Sequence, residues 1–228
     1  MKIRFILTAA LGAMIMASCS DSDDPTPEVI DGTTRTLTVA ANKYETWTYV
    51  NLDSAKTETH IDTTKHYIWN FAGTAVIDSV AAPDTTITIG LDWQIAFHRQ
   101  TVRTNDGAVA LADTAMTFDQ VTAEYVATIP TDSFKTDVLY KFGVMFNFAP
   151  MIQGIGLEYA ARPVLNPLLS TWTYSTGSAH AGNLMYHYPK YTYVLRTKSN
   201  RYYKLQITDF QNAEGTNGYP TVKVARLK

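Results

Sequence analysis

Hydrophobic and polar residues alternate almost perfectly between positions 91 and 98. The odd-numbered residues are apolar and the even-numbered ones mostly polar: Leu91, Trp93, Ile95 and Phe97 against Asp92, Gln94, Ala96 and His98. A period of two predicts a half-buried β-strand, with the apolar side facing a core. His98, Arg99 and Arg103 are potential cations expected at a rim, and Asn105-Asp106-Gly107 predicts the turn that ends the segment.

The same pattern recurs along the chain and is clearest in residues 191–228. Turn signals at Lys198-Ser199-Asn200 and Asn217-Gly218 divide that region into three predicted antiparallel strands. Residues 66–71 and 85–89 are further strand candidates, separated by a turn at Ala82-Pro83-Asp84. The sequence has no long amphipathic helical pattern. It therefore predicts an all-β fold, mainly an antiparallel meander or sandwich, with at most short helical turns.

Composition narrows the class of protein. The 228 residues are enough for one substantial core, and 14 tyrosines favour β structure. The formal net charge of -2 provides no electrostatic footprint for nucleic acid. Cys19 is the only cysteine, so an intramolecular disulfide is impossible.

The first 18 residues have the anatomy of a bacterial lipoprotein signal peptide. A basic start precedes a short apolar run, and Met16-Ala17-Ser18-Cys19 resembles a lipobox, which predicts cleavage before Cys19 and its lipidation. A plain secretory signal with an incidental cysteine is the alternative. Residues 19–34, acidic and containing proline, are predicted to be a tether, and residues 35–228 a single domain. The membrane would then be contacted through the lipid anchor alone.

Four segments of the chain carry a family resemblance: KYETWTYVNL at 43–52, DWQIAFHR and RTN between 92 and 105, TDVL at 136–139, and TYVLRTKSNRYYKLQITDFQNAEG at 192–215. Together they resemble the HmuY family of haem-binding surface lipoproteins. The resemblance implies an HmuY-like β fold, haem as cofactor, display as an outer-membrane lipoprotein at the cell surface, and transfer of haem to an outer-membrane transporter. Residues 53–90 are longer than the family pattern and are interpreted as an extended hairpin insertion.

The resemblance also indicates where haem ligands belong. Family members hold the iron between histidines or methionines on two loops, and the matching positions here are Met151 and His180 as the axial pair. Met145, Met185 and His187 are held in reserve. Arg162 or Lys190 could meet the haem propionates. Without the resemblance, methionines in apolar stretches are more often packing residues, and lone loop histidines are more often solvated.

Catalytic chemistry finds no support in the sequence. It contains no nucleophile-elbow, zincin, phosphate-loop or dinucleotide motif. Asp92 and His98 would be roughly 20 Å apart along an extended strand, too far to form a dyad. His60 and His66 fit surface positions better than a metal site. We therefore predict a binding protein rather than an enzyme, and the alternative to haem is a non-catalytic module for a glycan or protein ligand on the same scaffold.

Overall fold

β-strands make up most of the regular structure in the part of the chain that the computed structural model describes, residues 32–177 and 183–227. In chain order the strands are β1 Arg35–Thr38, β2 Thr46–Val50, β3 Thr57–Ile61, β4 His66–Trp69, β5 Val76–Val80, β6 Ile95–His98, β7 Thr101–Thr104, β8 Ala108–Leu111, β9 Lys135–Thr136, β10 Val138–Leu139, β11 Met145–Asn147, β12 Leu157–Ala160, β13 Val164–Leu165, β14 Tyr174–Thr176, β15 Met185–His187, β16 Tyr193–Arg196, β17 Tyr202–Gln211 and β18 Asn217–Arg226. The helices are short: α1 Ala123–Thr128, α2 Ala149–Ile152, and 3₁₀ turns at Thr131–Ser133 and Leu169–Thr171. The predicted all-β class is confirmed.

The strands form three larger antiparallel sheets and two small ribbons. The first sheet has the order β1-β18-β17-β16-β8-β9, the second β3-β2-β6-β7, and the third β11-β12-β4-β5. The ribbons pair β10 with β13 and β14 with β15. The three strands predicted in residues 191–228 are β16, β17 and β18, which pair in sequence order as a meander.

The second sheet separates two hydrophobic clusters. On one side Ile95 and Phe97 pack in a large cluster with residues of the first sheet such as Leu205. On the other side Ala96 packs with Trp47 and Tyr49 in a smaller cluster. Strand β6 is consequently buried on both faces, with His98 only 2% exposed. The predicted half-burial of this strand is therefore wrong, because a second apolar layer covers the side that the alternation assigned to solvent.

The segment from 91 to 106 is a tight hairpin rather than one long strand. Only residues 95–98 of its first half are β structure, and β6 pairs with β7 so that His98 lies opposite Thr101. Arg99, in the two-residue turn, has a φ of 53°, a conformation that costs a non-glycine residue about 1–2 kcal/mol. The predicted turn at 105–107 is present, with Asp106 at a φ of 53°.

The region from 53 to 90 contains β3, β4 and β5. Strand β4 begins at His66, as predicted, but residues 85–89 are not a strand, and Val76–Val80 forms one instead. The end of the 85–91 segment is held as a loop because the backbone N–H groups of Gly90 and Leu91 donate to the Glu58 carboxylate. His66 is 1% exposed, so its expected surface position is also wrong.

Neither α-helix is long and apolar enough to cross a membrane, among the residues that the structure describes. The predicted signal peptide and Cys19 lie outside those residues. The first strand begins at Arg35.

Candidate functional site

A cleft of about 550 Å³ opens at the turn end of the β6–β7 hairpin. This volume falls within the roughly 300–1,000 Å³ typical of small-molecule sites. We call it the Met145 cleft; its walls are formed by Tyr44, His98, Arg99, Gln100, Phe142, Gly143, Met145, Phe148, Tyr159, Leu184, Tyr186 and Asn217. Five of these side chains are phenylalanine or tyrosine, so the cleft offers flat apolar surface with a few polar atoms.

Arg99 supplies a cation on one side of the cleft. Its guanidinium lies 4.2 Å from the ring centroid of Tyr44, and Nη1 donates to the backbone carbonyl of Asn42 at 2.7 Å. The Tyr44 ring in turn stacks on Phe148, with centroids 5.8 Å apart. These contacts hold a residue whose own backbone is strained, an arrangement that often accompanies a functional position.

His98 forms part of the cleft wall and stays neutral at physiological pH. Burial lowers the pKa of its imidazole to about 4, although Asp62 and the backbone of Tyr44 oppose the shift. The ring lies edge-on to Trp47, with centroids 5.3 Å apart. Its Nε2 is buried and has no hydrogen-bond partner among the described residues. A buried ring nitrogen without a hydrogen-bond partner is unusual in a folded protein.

A second buried histidine lies in the third sheet. The His66 ring stacks on Phe146, the residue after Met145, with centroids 3.4 Å apart. Its Nδ1 is 3.7 Å from Oε1 of Glu158. Burial lowers the pKa of His66 and raises the pKa of Glu158. Both shifts have the same cause, since burial disfavours the charged form of each group.

The five haem ligands predicted from the sequence differ in where they lie relative to the Met145 cleft. Met145 lines the cleft from β11. Met151 is half-buried in α2 and is not one of the lining residues. Met185 is 59% exposed in β15, between the lining residues Leu184 and Tyr186. His180 lies outside the described residues.

His187, the fifth candidate, already has partners. Its Nε2 is 2.7 Å from Oγ1 of Thr176, and its ring stacks on Tyr174 with centroids 4.8 Å apart. A histidine occupied in this way must give up a hydrogen bond before it can bind a metal. It remains a weaker candidate than Met145 on geometric grounds.

The cation that faces the cleft is Arg99, which the sequence did not single out for propionates. Arg162 and Lys190, the residues named for that role, are both exposed and do not line the cleft. The sequence did contain a sign of this cation, because Arg99 belongs to the cationic run that follows the 91–98 alternation. Its position in the cleft could not be predicted, because the hairpin turn that directs Arg99 toward Tyr44 has no glycine or proline to mark it.

The donor set of the cleft fits haem better than a bare metal ion. Within the described residues, no group of three or more histidine, cysteine or carboxylate side chains is placed to hold a metal. Haem brings four nitrogen ligands of its own and needs only axial donors, for which a thioether or an imidazole is suitable. Aromatic walls, the Met145 sulfur and the Arg99 cation match its apolar ring, its iron and its carboxylates.

These features define a β protein with a cleft suited to a flat, apolar, anionic ligand. The chain belongs to the HmuY family, which is described as HmuY protein. The family model matches residues 43–223. Among curated proteins no sequence match was found.

Solved structures share the fold. An apo HmuY analogue from Tannerella forsythia is 26% identical, with a TM-score of 0.71 over 88% of this chain and 99% of the other. A Bacteroides fragilis protein described as a lipoprotein is 23% identical, with a TM-score of 0.60 over 88% and 94%. A Bacteroides vulgatus protein described as HmuY-like and haem-binding is 21% identical, with a TM-score of 0.60 over 86% and 92%.

Proposed function

We propose that this protein binds haem in the Met145 cleft, as a non-catalytic carrier. The observation that carries the proposal is the combination of aromatic walls, one thioether and one cation in a single cleft of about 550 Å³. Family membership and the haem-binding description of the Bacteroides vulgatus relative support the same ligand. Haem is the cargo here, and the protein's role is to exclude water from it and hold its iron.

Met145 is our first choice of axial ligand, ahead of Met151. Its side chain already lines the cleft, whereas Met151 would need α2 to shift. The opposite ligand is proposed to come from the segment around the Leu184 and Tyr186 wall, where His180 is the first choice and Met185 and His187 are the reserves. Arg99 would pair with a propionate.

The proposed place of action is the outer face of the outer membrane. Cleavage before Cys19 would leave a lipid-anchored chain, and the tether would set the domain away from the bilayer. The lipoprotein description of the Bacteroides fragilis relative agrees with such an anchor. From there, haem captured in the cleft would pass to an outer-membrane transporter.

The test is an absorption titration with haemin, under oxidising and reducing conditions, of the chain without its signal peptide. A saturable shift of the Soret band at one equivalent is the expected result. Met145→Ala should change the position of the band and weaken binding, while Met151→Ala should leave both unchanged. His180→Ala, Met185→Ala and His187→Ala identify the opposite ligand.

Met116→Ala provides a matched control, because Met116 is half-buried in a cluster with Val121 and Val194 rather than in the cleft. It should bind haemin as the parent does. If the Soret band does not shift in either redox state, the haem proposal is contradicted. Loss of the band in Met151→Ala but not in Met145→Ala would reassign the first ligand.

A further inference from the structure

A second, polar groove lies at the open end of the β6–β7 hairpin, away from the Met145 cleft. Two adjoining clefts of about 500 Å³ and 240 Å³ share Trp93 and Asn105 as lining residues. We call their union the Trp93 groove; its principal polar and aromatic side chains are Trp93, Arg103, Asn105, Asp137, Lys198 and Arg201. Three strand steps, about 10 Å, separate Ile95 near this groove from His98 at the other cleft.

Trp93 is a fixed platform at the centre of the groove. Its ring is half-buried and packs edge-on against Tyr49, with centroids 5.0 Å apart. Its carbonyl accepts a hydrogen bond from Nδ2 of Asn105 at 2.9 Å. Because ring and backbone are both held, a ligand that stacks on Trp93 would lose little affinity to ordering of the protein.

Arg103 has hydrogen-bonding capacity that the protein does not use. Its guanidinium lies 4.0 Å from the ring centroid of Trp47, and Nη2 donates to the Tyr49 hydroxyl at 2.6 Å. Nε is buried without a hydrogen-bond partner, and no carboxylate within the described residues lies close enough to form an ion pair with it. Nη1 also makes no hydrogen bond within the described residues, but unlike Nε it is not buried, so it is the donor that a ligand oxygen could reach from the groove.

The groove has a balanced set of charges. Its cations are Arg103, Lys198 and Arg201, and its acids are Asp92, Asp106 and Asp137. Arg201 bonds to Asp92 through Nη2 at 3.1 Å, and Lys198 donates to Oδ1 of Asn105 at 3.0 Å. A strongly anionic or cationic ligand would meet like charges as often as opposite ones. A neutral ligand rich in hydroxyl groups can use both, since each hydroxyl donates and accepts.

We propose that the Trp93 groove is a carbohydrate-binding site that takes a neutral oligosaccharide, with one sugar ring stacked on Trp93 and its hydroxyl oxygens accepting from Arg103. The site shares no lining residue with the Met145 cleft. It is therefore independent of the haem proposal. A protein equipped in this way would attach to a glycan surface while its other end carries haem.

The test uses the mature chain and a panel of soluble neutral oligosaccharides, built from glucose, mannose, galactose or N-acetylhexosamines, with uronate-containing oligosaccharides as the comparison arm. Saturation-transfer NMR identifies binders and calorimetry measures them. Trp93→Leu keeps an apolar side chain against Tyr49 but removes the stacking ring, and should weaken binding about tenfold or more. Arg103→Gln should do the same.

Tyr174→Leu is the matched control because Tyr174 is an aromatic residue, 56% exposed, that lines neither cleft of the groove. It should bind sugar normally, and Trp93→Leu should bind haemin normally. Circular dichroism checks that each variant is folded; if Arg103→Gln is not, Lys198→Ala, at an exposed residue, takes its place. No binding by any neutral sugar, tighter binding of uronates, or binding indifferent to Trp93 would each overturn the proposal.

Discussion

The two ends of the β6–β7 hairpin are built from neighbouring residues and differ in the side chains that line them. At the turn end, His98 has an unpaired Nε2 and Arg99 a strained backbone, in a cleft with aromatic walls. At the open end, Asp92 and Asn105 are tied into hydrogen bonds with Arg201 and Lys198. One hairpin can therefore present an aromatic cleft at its turn end and a polar groove at its open end, with one buried nitrogen at each left unpaired within the part of the chain that the structure describes.

Damage to the core of the β6–β7 hairpin should weaken ligand binding at both of its ends. Phe97 is fully buried, so Phe97→Ala should remove about 4 kcal/mol from the free energy of unfolding. Urea denaturation followed by tryptophan fluorescence measures the loss. Haemin binding and sugar binding should weaken together if the variant still folds. Phe71→Ala, at an aromatic residue that is 54% exposed, is the control and should cost less than about 1 kcal/mol.

Lowering the pH should destabilise the fold through His98, at the turn end of the hairpin. The pKa of His98 is about 4 in the folded chain and about 6.5 when unfolded, so the unfolded chain takes up the proton first as pH falls. The contribution of His98 is fully present above pH 6.5 and is lost progressively toward pH 4, up to about 3 kcal/mol.

His98→Phe removes this titration. Denaturation midpoints measured between pH 7 and pH 4 should therefore fall less steeply in His98→Phe than in the parent. Equal slopes for the two proteins would contradict the assignment. Phe71→Leu, at a residue that is 54% exposed and carries no titratable group, serves as the control and should retain the parent's slope.

The open end should depend on Asp53, which holds its hydrogen-bond network together. Asp53 accepts from the buried Tyr203 hydroxyl at 2.8 Å and from Nη1 of Arg201 at 2.7 Å. Asp53→Ala leaves the hydroxyl without its acceptor and should cost about 2 kcal/mol by urea denaturation. Haemin binding should stay close to normal. Asp106→Ala should change little, since that side chain is 85% exposed, and a comparable loss there would contradict the distinction.

The smallest expected effect concerns Arg99 and haem. Replacing Arg99 with Gln removes one charge-assisted contact to a propionate and should weaken haemin binding about fivefold, or about 1 kcal/mol. The titration should keep its Soret position, because the iron ligands are unchanged. Arg162→Gln is the control. Equal weakening by both variants would remove Arg99 from its proposed role.

Local patterns were enough to predict the strands whose partners follow closely in sequence. Strands β16 to β18 alternate clearly and are joined by recognisable turns, so each finds its partner from local signals. Residues 85–89 have the same local character but form no ladder, and the two residues that follow them are held in a loop by hydrogen bonds from their backbone N–H groups to Glu58. Propensity describes a segment, whereas pairing depends on what lies beside it.

Burial of His66 and His98 could not be read from the sequence for a related reason. Each lies in a strand covered on its second face by residues far away in sequence, Phe146 for His66 and Trp47 for His98. For the candidate site, the family resemblance identified Met145 only as a reserve ligand. Its position in the cleft wall makes it our first choice of axial ligand. Met151 and His180 remain predictions.

The burial of strand β6 also determines how slowly its amide protons exchange. It pairs with β2 and β7, lies between two hydrophobic clusters and has no solvent-facing side. The amide protons of Ile95 and Phe97 should therefore exchange with deuterium only when the whole domain opens. The Met145 cleft includes His98 of this strand, and Gln94, which lines the Trp93 groove, directly precedes it. The walls of the two sites can therefore fluctuate, or bind and release ligand, while the spacing between the sites stays fixed.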